Sequence, residues 1–229
     1  MNTRYFKNHL RDQAFSLIEV VLAIGIFLVT VLALVGLLGP TLKSVDDVEE
    51  MDAVSSVVNT LNTFLQKSSS IATSGSKFDV IFNEVASGNF ATVFIFNAYS
   101  NSTTADTELL VGFYVKEVDE DLIINGIMLN DALVKYTDFS NAVGTIYRAV
   151  LSPSSVLPAT ERDPDRNDYG IYTLINTSAA TYSEGYFAME VRIFAEDPPG
   201  PSASFQADTD LTALSKVEPI FTYNTAVVR

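Results

Sequence analysis

Three sets of side chains have types and spacings that chemistry can use. The first is a single carboxylate, Glu19, the one charged residue in the run FSLIEVVLAIGIFLVTVLALVGLL from Phe15 to Leu38. In lipid such a carboxylate costs roughly a few kcal/mol, so it needs either a route to the interface or a cationic partner. The second is the loop Glu161–Gly170, ERDPDRNDYG, where Asp163, Asp165 and Asn167 alternate like the first three ligands of an EF-hand loop. Calcium takes about six to eight oxygens of this kind. Against calcium, Asp168 stands at the sixth loop position where the hand uses Gly, no Glu follows at the twelfth, and Arg162 and Arg166 can pair with the same carboxylates. A metal-free surface turn is the competing expectation. The third set, Glu117, Asp119, Glu120 and Asp121, offers carboxylate pairs of the type glycosidases use, but a solvated turn between strands accounts for them more simply.

Composition removes most other chemistry. Cysteine is absent, which excludes disulfides, thiolate zinc sites, iron–sulfur clusters and a cysteine nucleophile. The one histidine, His9, precedes the apolar run. No GxSxG, Walker, GxGxxG or HExxH pattern occurs. The chain is therefore expected not to be an enzyme. Acidic residues outnumber basic ones 28 to 14, and the net charge of −14 argues against nucleic acid, whose phosphates need a basic surface. With 48% hydrophobic and 18% charged residues over 229 positions, the chain has ample material for a folded core.

The elements that must position these groups begin with the apolar run. As a helix, its 24 residues would extend about 36 Å, enough to cross a bilayer core with some tilt. The preceding segment, residues 1–14, carries Arg4, Lys7 and Arg11 against Asp12. That excess of positive charge predicts a cytoplasmic N-terminus with the remainder facing outward. An ordinary secretory signal fits badly, because the apolar run is long and no small-x-small cleavage pattern follows it.

The string Ala14-Phe15-Ser16-Leu17-Ile18-Glu19-Val20 resembles the class III signal of type IV pilins and type II secretion pseudopilins. The likeness covers about the first forty residues, with the basic leader, small residue, aromatic, Glu at the fifth mature position and apolar helix all in place. Ala14 stands where that family usually has Gly. The stretch to Pro40 also resembles pilin-like proteins of verrucomicrobial-type cassettes. The resemblance implies cleavage between Ala14 and Phe15 by a prepilin peptidase and N-methylation of Phe15. It also implies assembly through the apolar helix on an inner-membrane platform, with other pilin-like subunits and membrane lipid as partners. Glu19 would then neutralise the new N-terminal ammonium of a neighbouring subunit. The expected location is the bacterial inner membrane with the C-terminal domain periplasmic, or the cell surface once assembled in a pilus. Two alternatives stand beside it: an uncleaved, singly anchored binding protein, and a tethered hydrolase.

The remaining sequence predicts an α+β fold, a long N-terminal helix on a mostly antiparallel sheet, as in the ladle of pilins. Residues 15–67 form the helix, with the span at 15–38 and an outer half at 41–67 interrupted from it by Gly39-Pro40. Leu42, Val45, Val48, Met51 and Val54 recur at steps of three and wind around that helix, amid the solvated acids Asp46, Asp47, Glu49, Glu50 and Asp52. Val57, Val58, Leu61, Phe64 and Leu65 gather on one face. A Ser/Gly linker at 68–77 leads into a β-rich domain that completes residues 68–229. Strands are predicted at Phe78–Val85, Phe90–Tyr99, Leu109–Glu117, Leu122–Ile124, Ile127–Leu129 after an Asn125-Gly126 turn, Thr145–Leu151, Gly170–Ile175, Tyr186–Ala195 and Ile220–Val228. Six of the eight prolines fall in two long loops, 152–169 and 196–216.

Overall fold

The computed structural model of the chain describes residues 16–66, 77–100, 106–115, 133–199, 205–206 and 211–229. The chain divides into two compact units, Met1–Asp52 and Ala53–Arg229. Helix α1, Leu17–Gln66, crosses that division. The expected interruption at Gly39-Pro40 is not observed: both residues lie inside the helix. Proline removes one backbone donor and strains one turn, a local cost of about 3 kcal/mol that leaves the hydrogen bonds of the flanking turns in place.

In the first unit, the described large apolar side chains between Leu17 and Leu38 are almost all exposed, from Leu17 at 84% to Val20 at 45%. Val48 and Met51 beyond them are exposed as well. A helix that is apolar on all sides has no core-facing stripe, and its surface matches a hydrocarbon solvent or a partner rather than water.

The second unit opens with the end of α1. Val57, Leu61, Phe64 and Leu65 are buried and Val58 is partly buried, as their shared face predicts. Helix α2, Lys77–Gly88, follows, where a strand was expected at Phe78–Val85. Phe78, Val80 and Phe82 do alternate, but Phe78, Ile81, Phe82 and Val85 also satisfy the helical i, i+3, i+4, i+7 pattern, and all five residues are buried. The helix ends before Asn89, whose φ of 64° is the left-handed conformation that commonly closes a helix.

Among the described residues, six strands form one sheet: β1 Ala91–Tyr99, β2 Thr107–Val115, β3 Leu133–Lys135, β4 Ala142–Pro153, β5 Tyr186–Glu196 and β6 Phe221–Val228. Their spatial order is β3-β2-β1-β4-β5-β6, antiparallel throughout except for the parallel β2–β3 pair. The predicted strands at Phe90–Tyr99, Leu109–Glu117, Thr145–Leu151, Tyr186–Ala195 and Ile220–Val228 correspond to β1, β2, β4, β5 and β6. Those at Leu122–Ile124 and Ile127–Leu129 lie outside the described residues, as does most of the linker at 68–77.

Strand alternation divides the apolar residues between two cores. Val93 and Ile95 of β1, Phe113 of β2, Leu151 of β4 and Val191 of β5 meet α1 and α2 on one face. Phe94, Phe96 and Ala98 of β1 turn to the other, where Phe139 of a short 3-10 helix (Tyr136–Asn141) and Phe205 cover them. A third cluster sets Val150 and Phe194 against Ile171 and Leu214, the last from the one-turn helix α3, Leu211–Leu214. With both faces covered, β1 reads as a near-continuous apolar run.

Gly170–Ile175 is a correction. It is not a strand but the return arm of a pinned loop, joined to the outgoing arm by an isolated Arg162–Leu174 bridge. The Asp163 amide donates to Thr173 O at 2.9 Å and the Ile175 amide to Glu161 O at 3.0 Å. Those bonds stay within the loop instead of extending the sheet.

Candidate functional site

Ala14 and Phe15 lie outside the described residues. Glu19 stands in the first turn of α1, where its carboxylate has a local role beyond the one its place in the apolar run suggests. The Ser16 amide donates to Glu19 Oε2 at 3.0 Å, and the Glu19 amide donates back to Ser16 Oγ at 3.4 Å. This reciprocal pair is a capping box, satisfying amides that the first helical turn leaves without partners. The signal was present as Ser16-x-x-Glu19 ahead of an apolar run. Glu19 Oε1 takes no hydrogen bond from any described residue, so the carboxylate keeps acceptor capacity for a second partner. Farther along, Thr30 Oγ1 donates to Ile26 O at 2.8 Å, which satisfies that hydroxyl inside its own helix. Leu17–Leu38 is a 22-residue stretch of α1 with mean hydropathy of 3.0, long and apolar enough to cross a membrane.

The second place is the loop that carries Asp163, Asp165 and Asn167. Asp163 Oδ2 accepts from the Thr173 hydroxyl. Asn167 Oδ1 accepts from the amides of Tyr169 and Ile171 at 3.0 and 3.2 Å, shaping the turn that Gly170 closes at φ 72°. Among the described residues, no group of three or more His, Cys, Asp or Glu side chains is placed to hold a metal ion. The arginines also act differently from the surface pairing expected of them. Arg162 donates to the carbonyls of Ser155, Leu157, Asp163 and Pro164 and lies over the Tyr172 ring.

Arg166 reaches the sheet. Its guanidinium meets Glu190 of β5 in two bonds of 3.0 and 2.6 Å, and Arg192 adds a third from Nε at 2.9 Å. Arg166 and Arg192 both also donate to Gly170 O, so the loop tip and the sheet share one charge network. Glu190 is 6% exposed. Burial alone pushes its carboxyl up, but the hydrogen bonds from Arg166 and Arg192 outweigh that and hold it below the ordinary carboxylate value. A similar device occurs on β4, where buried Arg148 pairs with Glu196, donates to Gln206 O at 2.8 Å and lies over the Phe94 and Phe205 rings. No sequence period announced either network, because the partners are 24 and 48 residues apart.

The acids Glu117, Asp119, Glu120 and Asp121 lie outside the described residues. A groove of about 420 Å³ is lined by Asp79, Asn83, Ser178, Ala179, Ala180 and Arg229. Its one cationic side chain is committed to the carbonyls of Ala179 and Tyr182. Compared with protein-family models, curated proteins and solved structures, the chain finds no match.

Proposed function

We propose that this chain is a pilin-like or pseudopilin structural subunit, cut between Ala14 and Phe15 and assembled through the apolar half of α1. The single observation that carries this reading is the exposed, all-round apolar helix Leu17–Leu38 with one charge, Glu19, in its first turn. Such a surface needs lipid before assembly and neighbouring helices after it. The excess of basic over acidic residues in 1–14 would hold the N-terminus in the cytoplasm and deliver the β-rich unit to the periplasm. A prepilin peptidase and an inner-membrane platform are the partners this role requires.

In this role, cleavage leaves a new ammonium on Phe15. One oxygen of Glu19 can serve the helix cap while the other receives a neighbour's ammonium. A desolvated ion pair of this kind sets register, because either charge left alone in the membrane is strongly unfavourable. The second reading, an uncleaved single-span anchor with a binding domain outside, draws on the capping box, which gives Glu19 a role within its own chain.

Glu19→Gln separates the two. Glutamine completes a capping box as glutamate does, but carries no charge. Under the subunit reading, Glu19→Gln and Glu19→Val both insert and are cut to begin at Phe15, yet both fail to enter filaments. Normal assembly of Glu19→Gln would leave the cap as the whole role of this residue. Edman sequencing of membrane-extracted protein supplies the second measurement: a chain beginning at Met1 in wild type sinks the subunit reading.

A further inference from the structure

Among the described residues, the sheet ends at β6 with a bare outer edge. The Arg229 amide donates to Gly185 O at 3.0 Å, and the β5–β6 register runs without a shift from Tyr186–Val228 to Ile193–Phe221. By antiparallel alternation, the backbone groups of Thr222, Asn224, Ala226 and Val228 point away from β5. No described residue bonds to them. The strand is firmly seated on its other side: Val227 is in the main core, and Tyr223 and Thr225 both donate to Asn62 Oδ1.

Natural edge strands are usually guarded by charges, proline, bulges or short length. Phe221–Val228 has eight residues, no charged side chain, no proline and no register shift. It is flanked by exposed Val217, and Phe221 and Val228 are exposed themselves. The occupant is argued from charge and tethering. At a net charge of −14, two copies repel over most of their surface, and a neutral main-chain edge is where they can approach. On the membrane reading proposed above, the apolar helix also holds copies in one bilayer, raising their effective concentration for a contact too small to persist in solution.

We propose that β6 pairs antiparallel with β6 of a second copy, joining two six-stranded sheets into one continuous sheet across neighbouring chains. An isologous pairing uses both free edges and closes, whereas an open edge invites indefinite addition. Only Thr222, Asn224, Ala226 and Val228 face the open edge, so they must pair with one another; using all four sets Asn224 opposite Ala226 of the second copy and places the two-fold axis at Thr225.

The cysteine-free chain makes the test direct. Single cysteines are introduced in the full-length chain at Thr222, Asn224, Ala226 and Val228, with exposed Ser87→Cys as the collision control, and membranes are oxidised with copper phenanthroline. The expected result is a disulfide dimer several-fold stronger at Asn224 and Ala226 than at Val228 or Ser87. Adding Ala226→Lys, which guards the edge without touching the β5 ladder, should abolish the Asn224→Cys dimer while thermal unfolding is unchanged. Cross-linking at Asn224 no stronger than at Ser87, equal yields at all four strand positions, persistence in the Ala226→Lys background, or an adduct of a different chain's mass would each overturn the proposal. Failure here with a Phe15 N-terminus and an assembly-defective Glu19→Val removes only the edge contact. A specific dimer from a chain that still begins at Met1 removes only the subunit reading.

Discussion

One helix carries two opposite surfaces. Between Leu17 and Leu38 the described large apolar side chains of α1 are almost all exposed, whereas Val57, Leu61, Phe64 and Leu65 of the same helix are buried to within 8%. The kind of apolar residue does not separate the two stretches, since both use Val, Leu and Phe. Distribution does: the first is apolar around its whole circumference, and the second confines its apolar residues to one face. An all-round apolar helix has no single face that a core could select. A one-sided helix can be completed by a sheet.

The largest expected effect breaks the self-sufficient side of this contrast. Leu61→Ala, at a fully buried position, should destabilise the β-rich unit by about 3 kcal/mol or more, read as a lowered urea midpoint. Leu28→Ala, 54% exposed in the span, should leave that midpoint within about 0.5 kcal/mol. Equal losses from both would erase the distinction.

Next comes the charge network that fastens the 155–175 loop to β5. Glu190→Ala leaves Arg166 and Arg192 facing an emptied site and should cost about 3 kcal/mol. Its pH dependence sharpens the point. Because the folded carboxyl lies below its ordinary value of 4.5, its stabilisation is complete above that value and disappears as the pH falls through the lower, folded one. The melting temperature of wild type should therefore fall more steeply below pH 4.5 than that of Glu190→Gln. Parallel curves would show that the network contributes nothing to acid sensitivity.

A smaller effect of opposite sign belongs to Glu84 on α2, whose carboxyl is pushed up by burial. A raised acid is best tolerated when protonated, so the penalty it adds appears as pH rises through the folded value. Glu84→Gln should raise the melting temperature slightly at pH 7 and not at pH 3. The smallest effect is at the Asp163 loop, where Thr173 and backbone amides already occupy acceptors of Asp163 and Asn167. Millimolar calcium, against chelator, should leave thermal unfolding unmoved. A rise that Asp163→Ala with Asp165→Ala abolishes would instead establish a calcium site.

Legibility in the sequence followed the range of the interactions. The inward face of α1 and five strands were readable because side-chain period reports burial directly. A strand was expected at Phe78–Val85 and helix α2 was found because Phe78, Val80 and Phe82 satisfy one period while Phe78, Ile81, Phe82 and Val85 satisfy the other. The loop's Asp-x-Asp-x-Asn spacing suggested metal ligands, but spacing does not tell which acceptors the backbone will take. The capping box is legible as Ser16-x-x-Glu19, but a carboxylate inside an apolar run points equally to a partner on another chain, and only the local geometry shows the cap.

By itself, the sequence determined that residues 17–38 form a helix too uniformly apolar for a water-facing surface, and that an alternating β-rich region follows. Both are local properties, set by residue type and period. Tertiary structure alone decided which acid meets which base. Glu190 with Arg166, and Arg148 with Glu196, meet only because the β4–β5 register and the folded loop bring distant positions together. It also decided that, among the described residues, β6 ends the sheet with one edge open, since an edge is defined by the strand that is not beside it.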